Sequence, residues 1–179
     1  MNRHILYVLC FVSCCVTTLH AADPPVTRQK EWQSVTKAID EGKPKTGRDV
    51  LKGIEQAAIT EQAWDEVARS IATRVLLENS DRPADDPQRL IDLDAATETA
   101  PVQTRGALQA IQANWTWNFF QMNRWRFAQR TTQMKSGADR NLLEISSWDL
   151  RQIVLEIHDQ FEKALSDDRG LKDLSLIHI

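Results

Sequence analysis

The sequence predicts an all-helical protein, made of antiparallel helical hairpins in a tetratricopeptide-like bundle or short array. Three observations carry that expectation. Apolar residues recur at steps of three and four in every extended apolar pattern. No window alternates with period two for the length of a strand. Of six tryptophans, five phenylalanines and one tyrosine, half crowd into residues 114–130, which read NWTWNFFQMNRWRFAQR.

Taken in order, the first helix covers 26–41, with Trp32, Val35, Ala38 and Ile39 at helical spacing and Gly42 as the residue that follows it. After the loop Lys43, Pro44, Lys45, a second helix places Val50, Leu51, Ile54, Ala57 and Ala58 on one side. A third starts near Glu61 and carries the pairs Ala63/Trp64, Val67/Ala68, Ile71/Ala72 and Val75/Leu76. Residues 79–87, NSDRPADDP, combine two prolines and three aspartates without an apolar anchor, and read as a loop between hairpins. A short helix from Gln88 with Leu90, Ile91 and Leu93 leads to Pro101, which suits the first turn of the long aromatic helix.

That helix carries two stripes. Leu108, Ile111, Trp115, Phe119 and Met122 form one; Trp117, Phe120 and Phe127 lie nearly opposite. A helix apolar on two sides needs partners on both, so it is expected at the centre of the core. Residues 131–141, with Gly137, form a second polar loop. A final helix opens at Ser147, Trp148, Asp149, with Ser147 as candidate N-cap and Leu150, Ile153, Val154, Ile157, Phe161, Ala164 and Leu165 as a single stripe.

The ends read differently. Arg3 and His4 precede an uncharged apolar run and the small residues Ala21 and Ala22, the pattern of an export signal over residues 1–21. The run is too short to span a bilayer. Cys10, Cys14 and Cys15 would leave with it, so the mature domain would hold no disulfide, thiolate ligand or thiol nucleophile. The competing reading makes Cys14 an acylated N-terminus, a lipid anchor, although Phe11 is a poor match to the aliphatic residue such signals use. The last six residues, LSLIHI at 174–179, can be encoded by a transposon-end sequencing adapter; on that reading His178 has no role and the helical domain spans 22–173. The expected location is the periplasm, the cell envelope or the exterior.

A net charge of −3 predicts solubility and no nucleic-acid partner. Motifs for metal, phosphate and nucleophile chemistry are missing: there is no paired-His zinc motif, no Gly-rich phosphate loop and no Gly-x-Ser-x-Gly elbow. No catalytic, cofactor-binding or metal residue is expected. His158, with Glu162 one turn on, reads as a solvated pair. Asp92 and Asp94, and Asp85 with Asp86, read as solvated acids, because Thr97 stands where a calcium loop needs glycine. Arg124, Arg126 and Arg130 interleave with Trp125 and Phe127 in a pattern that suits stacked bases, but an acidic exported chain favours arginines that satisfy helix-end carbonyls or pair with acids.

The signal, the helix pairs and three local motifs together resemble the N-terminal helical region of the large bacterial alpha-2-macroglobulin-like proteins of planctomycetes and Bacteroidetes. The motifs are Glu41-Gly42-Lys43-Pro44-Lys45-Thr46, residues 114–130 with Asn123-Arg124-Trp125-Arg126-Phe127, and Ser147-Trp148-Asp149-Leu150. The resemblance covers nearly the whole mature segment. It implies a very large secreted or envelope protein that traps proteases by collapsing around them once a bait segment is cut. Some members add a Cys-Gln thioester. This chain holds neither a macroglobulin β-domain nor a cysteine outside the signal, so the resemblance implies a non-catalytic accessory module. Its partner would be the remainder of its own parent chain, and it would meet proteases only through that remainder.

Two other readings stand beside it. One is a free-standing secreted helical-hairpin adaptor that binds a peptide or protein partner. The other is a small carbohydrate-active enzyme with a tryptophan platform and acids such as Glu144 and Asp149, whose spacing identifies no reacting pair.

Overall fold

The computed structural model describes residues 28–130 and 141–166. The segment expected to be an export signal, with Cys14, most of the expected second polar loop and residues 174–179 lie outside those residues. Among the described residues the protein is helical throughout, without a strand. The helices are α1 (Gln29–Asp40), α2 (Pro44–Thr60), α3 (Trp64–Glu78), α4 (Gln88–Thr99), α5 (Val102–Ala128) and α6 (Leu150–Ser166), with a 3-10 helix, Leu142–Ser147, ahead of α6. Each packs on the next in antiparallel hairpins, and α3 also packs on α5. None is long and apolar enough to cross a membrane.

The first two turns are built alike. After α1, Gly42 takes φ +65°, its N–H reaching Ile39 O while Lys43 N–H reaches Ala38 O. After α2, Gln62 takes φ 58°, with Gln62 N–H on Ile59 O and Ala63 N–H on Ala58 O. Both are the paired bonds that close a helix on a left-handed residue. α3 therefore begins at Trp64, not near Glu61: the chain between them is spent on the turn.

Three clusters make the core. Val35, Leu51, Ile54 and Leu77 lie between α1, α2 and α3. Val67, Ile71 and Val75 of α3 join Leu93, Leu108 and Ile111. Leu90, Phe119, Phe120, Phe127, Ile145, Trp148, Ile153 and Ile157 form the aromatic end. In α3 the inward residue after Val75 is Leu77, while Leu76 is exposed, because α3 is covered on two sides and the side facing α2 needs its own apolar contact. Leu77 fills the space beside Gly47, where an added Cβ would stand 2.9 Å from Leu77 Cδ1.

The long helix α5 is central, touching α3, α4 and α6. Its two stripes are covered unevenly. Phe119, Phe120 and Phe127 are buried and meet at ring separations of 6.1 and 6.0 Å, but Trp117 and Met122 are each 44% exposed. The reason is rotational. Trp117 lies about 60° beyond Phe120 at about 100° per residue, past the edge of α6, and packs only its flank on that ring at 5.6 Å.

Candidate functional site

The candidate residues of the sequence do not converge. His158 sits exposed on α6 with its ring nitrogens 3.6 Å from Asp159 and Glu162. Asp92 accepts from Asn79 Nδ2 and from Gln88 Nε2, each at 2.8 Å, so it ties the end of α3 to the start of α4. Asp86 accepts Gln88 N–H at 2.8 Å and pairs with Arg82, while Asp85 is exposed. These contacts hold a loop and a helix start.

Of the three arginines, Arg130 donates Nη1 to Trp148 O at 2.7 Å and stands 5.8 Å from the Phe127 ring, which clamps the end of α5 to the entry of α6. Arg126 donates to Asn123 Oδ1 on its own helix, and Arg124 is exposed beside Trp125, itself 65% exposed. Glu144 is exposed on the 3-10 helix, whereas Asp149 is buried at the start of α6. Asp149, not Ser147, caps that helix: Ser147 donates its hydroxyl to Glu144 O at 2.7 Å and closes the 3-10 turn.

Two surfaces remain. The first is apolar. The single stripe expected on α6 divides lengthwise: Ile153, Ile157 and Ala164 are buried against α5, while Leu150, Val154, Phe161 and Leu165 are exposed. The exposed four are spaced by four, seven and four residues, so they share one helix face. The stripe is wider than α5 alone can cover.

The second is a polar groove of about 250 Å³ between α4, α5 and α6, lined by Asp94, Thr97, Glu98, Arg105, Gln109, Gln112, Glu156, Gln160 and Lys163. Gln112 and Gln160 are 3% and 5% exposed. Gln112 donates Nε2 to Leu90 O and Gln160 donates Nε2 to Glu156 Oε1, each at 2.9 Å. Both amide orientations are thereby fixed, since a flipped amide would set oxygen against oxygen. The two Oε1 atoms are buried without a hydrogen-bond partner. Asp94 is raised above its ordinary carboxyl value, first by desolvation, then by Glu98 and Glu156, with Lys163 opposing. Arg105 turns away, donating to Ala100 O and Glu98 O at the end of α4.

A smaller groove of about 240 Å³ runs along the α3–α4 loop, where Arg89 and Asn79 line the wall. Among the described residues no group of His, Cys, Asp and Glu has the spacing of a metal site. Sequence reasoning missed the α4–α6 groove, because Gln112 and Gln160 look like surface residues in a polar context and nothing local announces their burial. Compared with known proteins, the chain matches no family model, no curated protein and no solved structure.

Proposed function

We propose that this chain is the non-catalytic N-terminal helical module of a secreted or cell-envelope protein of the alpha-2-macroglobulin-like, protease-trapping kind, and that it docks or supports the rest of its parent chain. The exposed apolar face of α6 carries the reading. Four large apolar side chains on one face of the last described helix offer a further element a ready packing surface, and in an array of helical hairpins the next element of the same chain is the natural occupant. The residue motifs named above supply the family. The site chemistry is compatible with a supporting role, since Asp86 and Asp149 accept backbone N–H groups at helix starts and Asp92 joins the end of α3 to the start of α4.

The test is the gene downstream of codon 173. Long all-β repeats in frame support the reading. An early natural stop removes it and leaves the free-standing adaptor, for which the same α6 face would bind a partner helix. A second arm uses the protein itself: incubated with proteases of several classes, the chain should leave cleavage of a large substrate undiminished. Stoichiometric inhibition by this chain alone would place the trapping activity in the helices and overturn the assignment.

A further inference from the structure

Arg89 stands half-buried in the wall of the α3–α4 groove without a counter-charge. Its Nε is enclosed and has no acceptor, which holds the stem of the side chain in place. Its two Nη groups have no partner among the described residues and stay within reach of solvent. The acids near it in sequence do not supply one. Asp92, one turn on, accepts from Gln88 at Oδ1 and from Asn79 at Oδ2, each at 2.8 Å. Asp86 accepts the Gln88 N–H at Oδ1 and pairs through Oδ2 with Arg82 at 3.2 Å. Asp85 is exposed and does not line the groove. A partly desolvated guanidinium whose local carboxylates are held elsewhere costs free energy that an anion from outside the chain recovers.

We propose that this groove binds a carboxylate attached to a small apolar group, the chemistry shared by a free aliphatic acid and the C-terminal residue of a peptide. The charged side chains of the lining are Arg82, Arg89 and Asp86, two positive against one negative. That surplus matches a monoanion, whereas a phosphate dianion meets Asp86 with more repulsion. A guanidinium offers a carboxylate two parallel N–H donors, and the bonds are charge-assisted. Leu76, Pro83 and Ala84 supply an apolar wall beside them. The volume of about 240 Å³ lies below the roughly 300 to 1,000 Å³ of sites for drug-sized ligands, which limits the occupant to about one residue. None of the lining residues belongs to α6, so the site is independent of the docking face.

The experiment follows the backbone amide signals of Ser80, Ala84 and Asp86, with the Arg89 Nε–H, by NMR in the full chain titrated with Nα-acetyl-leucine. Parallel titrations use Nα-acetyl-leucinamide, which keeps the shape and loses the charge, and inorganic phosphate at matched ionic strength. A third uses Nα-acetyl-alanyl-leucine, which represents a peptide end. The expected result is a saturable shift at millimolar Nα-acetyl-leucine, none with the amide, and weaker binding of phosphate. Affinity should fall about tenfold in Arg89→Gln, the loss of a charge-assisted contact. Arg89→Lys, which keeps the charge without the fork, should fall between. Tighter binding of the dipeptide than of Nα-acetyl-leucine would identify a peptide C-terminus as the source, and the reverse order a free acid.

The proposal is overturned by no saturation with either carboxylate, by an equal response to the amide, or by phosphate binding as tightly as the carboxylates. Unchanged affinity in Arg89→Gln overturns it too. So does binding that appears only in Asp85→Asn, which would mean that the arginine is claimed by its own chain. Because Arg89 makes no side-chain hydrogen bond or ion pair among the described residues, its substitution removes no polar contact of the fold. The backbone signals of the helices report that the fold is intact.

Discussion

Asp149 and Gln152 exchange hydrogen bonds across the first turn of α6: Gln152 N–H donates to Asp149 Oδ1 at 2.9 Å, and Asp149 N–H donates to Gln152 Oε1 at 3.0 Å. This is a capping box with aspartate and glutamine in its two roles. It satisfies two backbone donors at a helix start that is buried beside Trp148 and clamped by Arg130. Asp149→Ala should therefore destabilise the protein by about 1 to 2 kcal/mol. Ser147→Ala should cost only a few tenths, since its hydroxyl serves an exposed 3-10 turn. Urea unfolding of both variants checks the ranking, and equal losses would mean that the cap is shared.

The matched turns after α1 and α2 give a prediction with opposite signs. Gly42 and Gln62 occupy the same left-handed position of the same motif, at φ +65° and 58°. A side chain with a Cβ costs roughly 1 kcal/mol in that conformation. Gln62→Gly should therefore stabilise the protein by about that amount, less the added freedom of the unfolded chain, and Gly42→Ala should destabilise it. Thermal midpoints moving together, in either direction, would contradict the equivalence of the two turns.

Those turns also show why the sequence was legible in some places and opaque in others. Gly42 announced a helix end because glycine is the residue that a left-handed cap prefers. Gln62 does the same job without the signal, so periodicity alone points to a start of α3 near Glu61, three residues ahead of Trp64. Helix existence and type followed from periodicity, which the backbone enforces locally. The coverage of each face did not, because it depends on which helix arrives from elsewhere: Trp117 and Met122 fit their stripes yet stand exposed, and Leu77 lies buried outside its stripe. The groove was the least legible feature. Gln112 and Gln160 come from helices that meet only after folding, and glutamine on a helix reads as solvated until its neighbours are known.

The aromatic helix provides a graded test of coverage. Phe119 is 1% exposed and stacks edgewise on Phe127, so Phe119→Ala should cost about 3 to 5 kcal/mol. Trp117 keeps one face in water, so Trp117→Ala should cost less than half as much. Guanidinium unfolding of the two variants orders them. A Trp117 loss as large as that of Phe119 would mean that another surface covers the indole in solution.

Two helical glycines of α2 separate propensity from space. Nothing lies within 4 Å of a Cβ added at Gly53, so Gly53→Ala should stabilise the protein by about 0.5 to 1 kcal/mol through helix propensity alone. At Gly47 the same methyl meets Leu77 Cδ1 at 2.9 Å in a closed corner. Most of the gain should be lost there as Leu77 is displaced. A larger gain at Gly47 than at Gly53 would show that the α2–α3 contact is looser than it stands in the structure.

The last prediction concerns Asp94 and the pH dependence of folding. Its carboxyl is raised above the ordinary value of 3.8, first by desolvation and then by Glu98 and Glu156, against the opposing Lys163 ammonium. A carboxyl that is harder to ionise when folded binds more protons in the folded chain than in the unfolded one over the window between the two values. Linkage then makes its contribution fully favourable below the unfolded value, and that contribution is lost as pH rises through the folded value. At neutral pH the ionised Asp94 therefore works against the fold, and Asp94→Asn should raise the urea midpoint. The advantage should shrink as pH falls toward about 4, where the native side chain begins to take up its proton. A variant less stable than the parent at neutral pH would show that Asp94 is compensated by a cation in the folded protein.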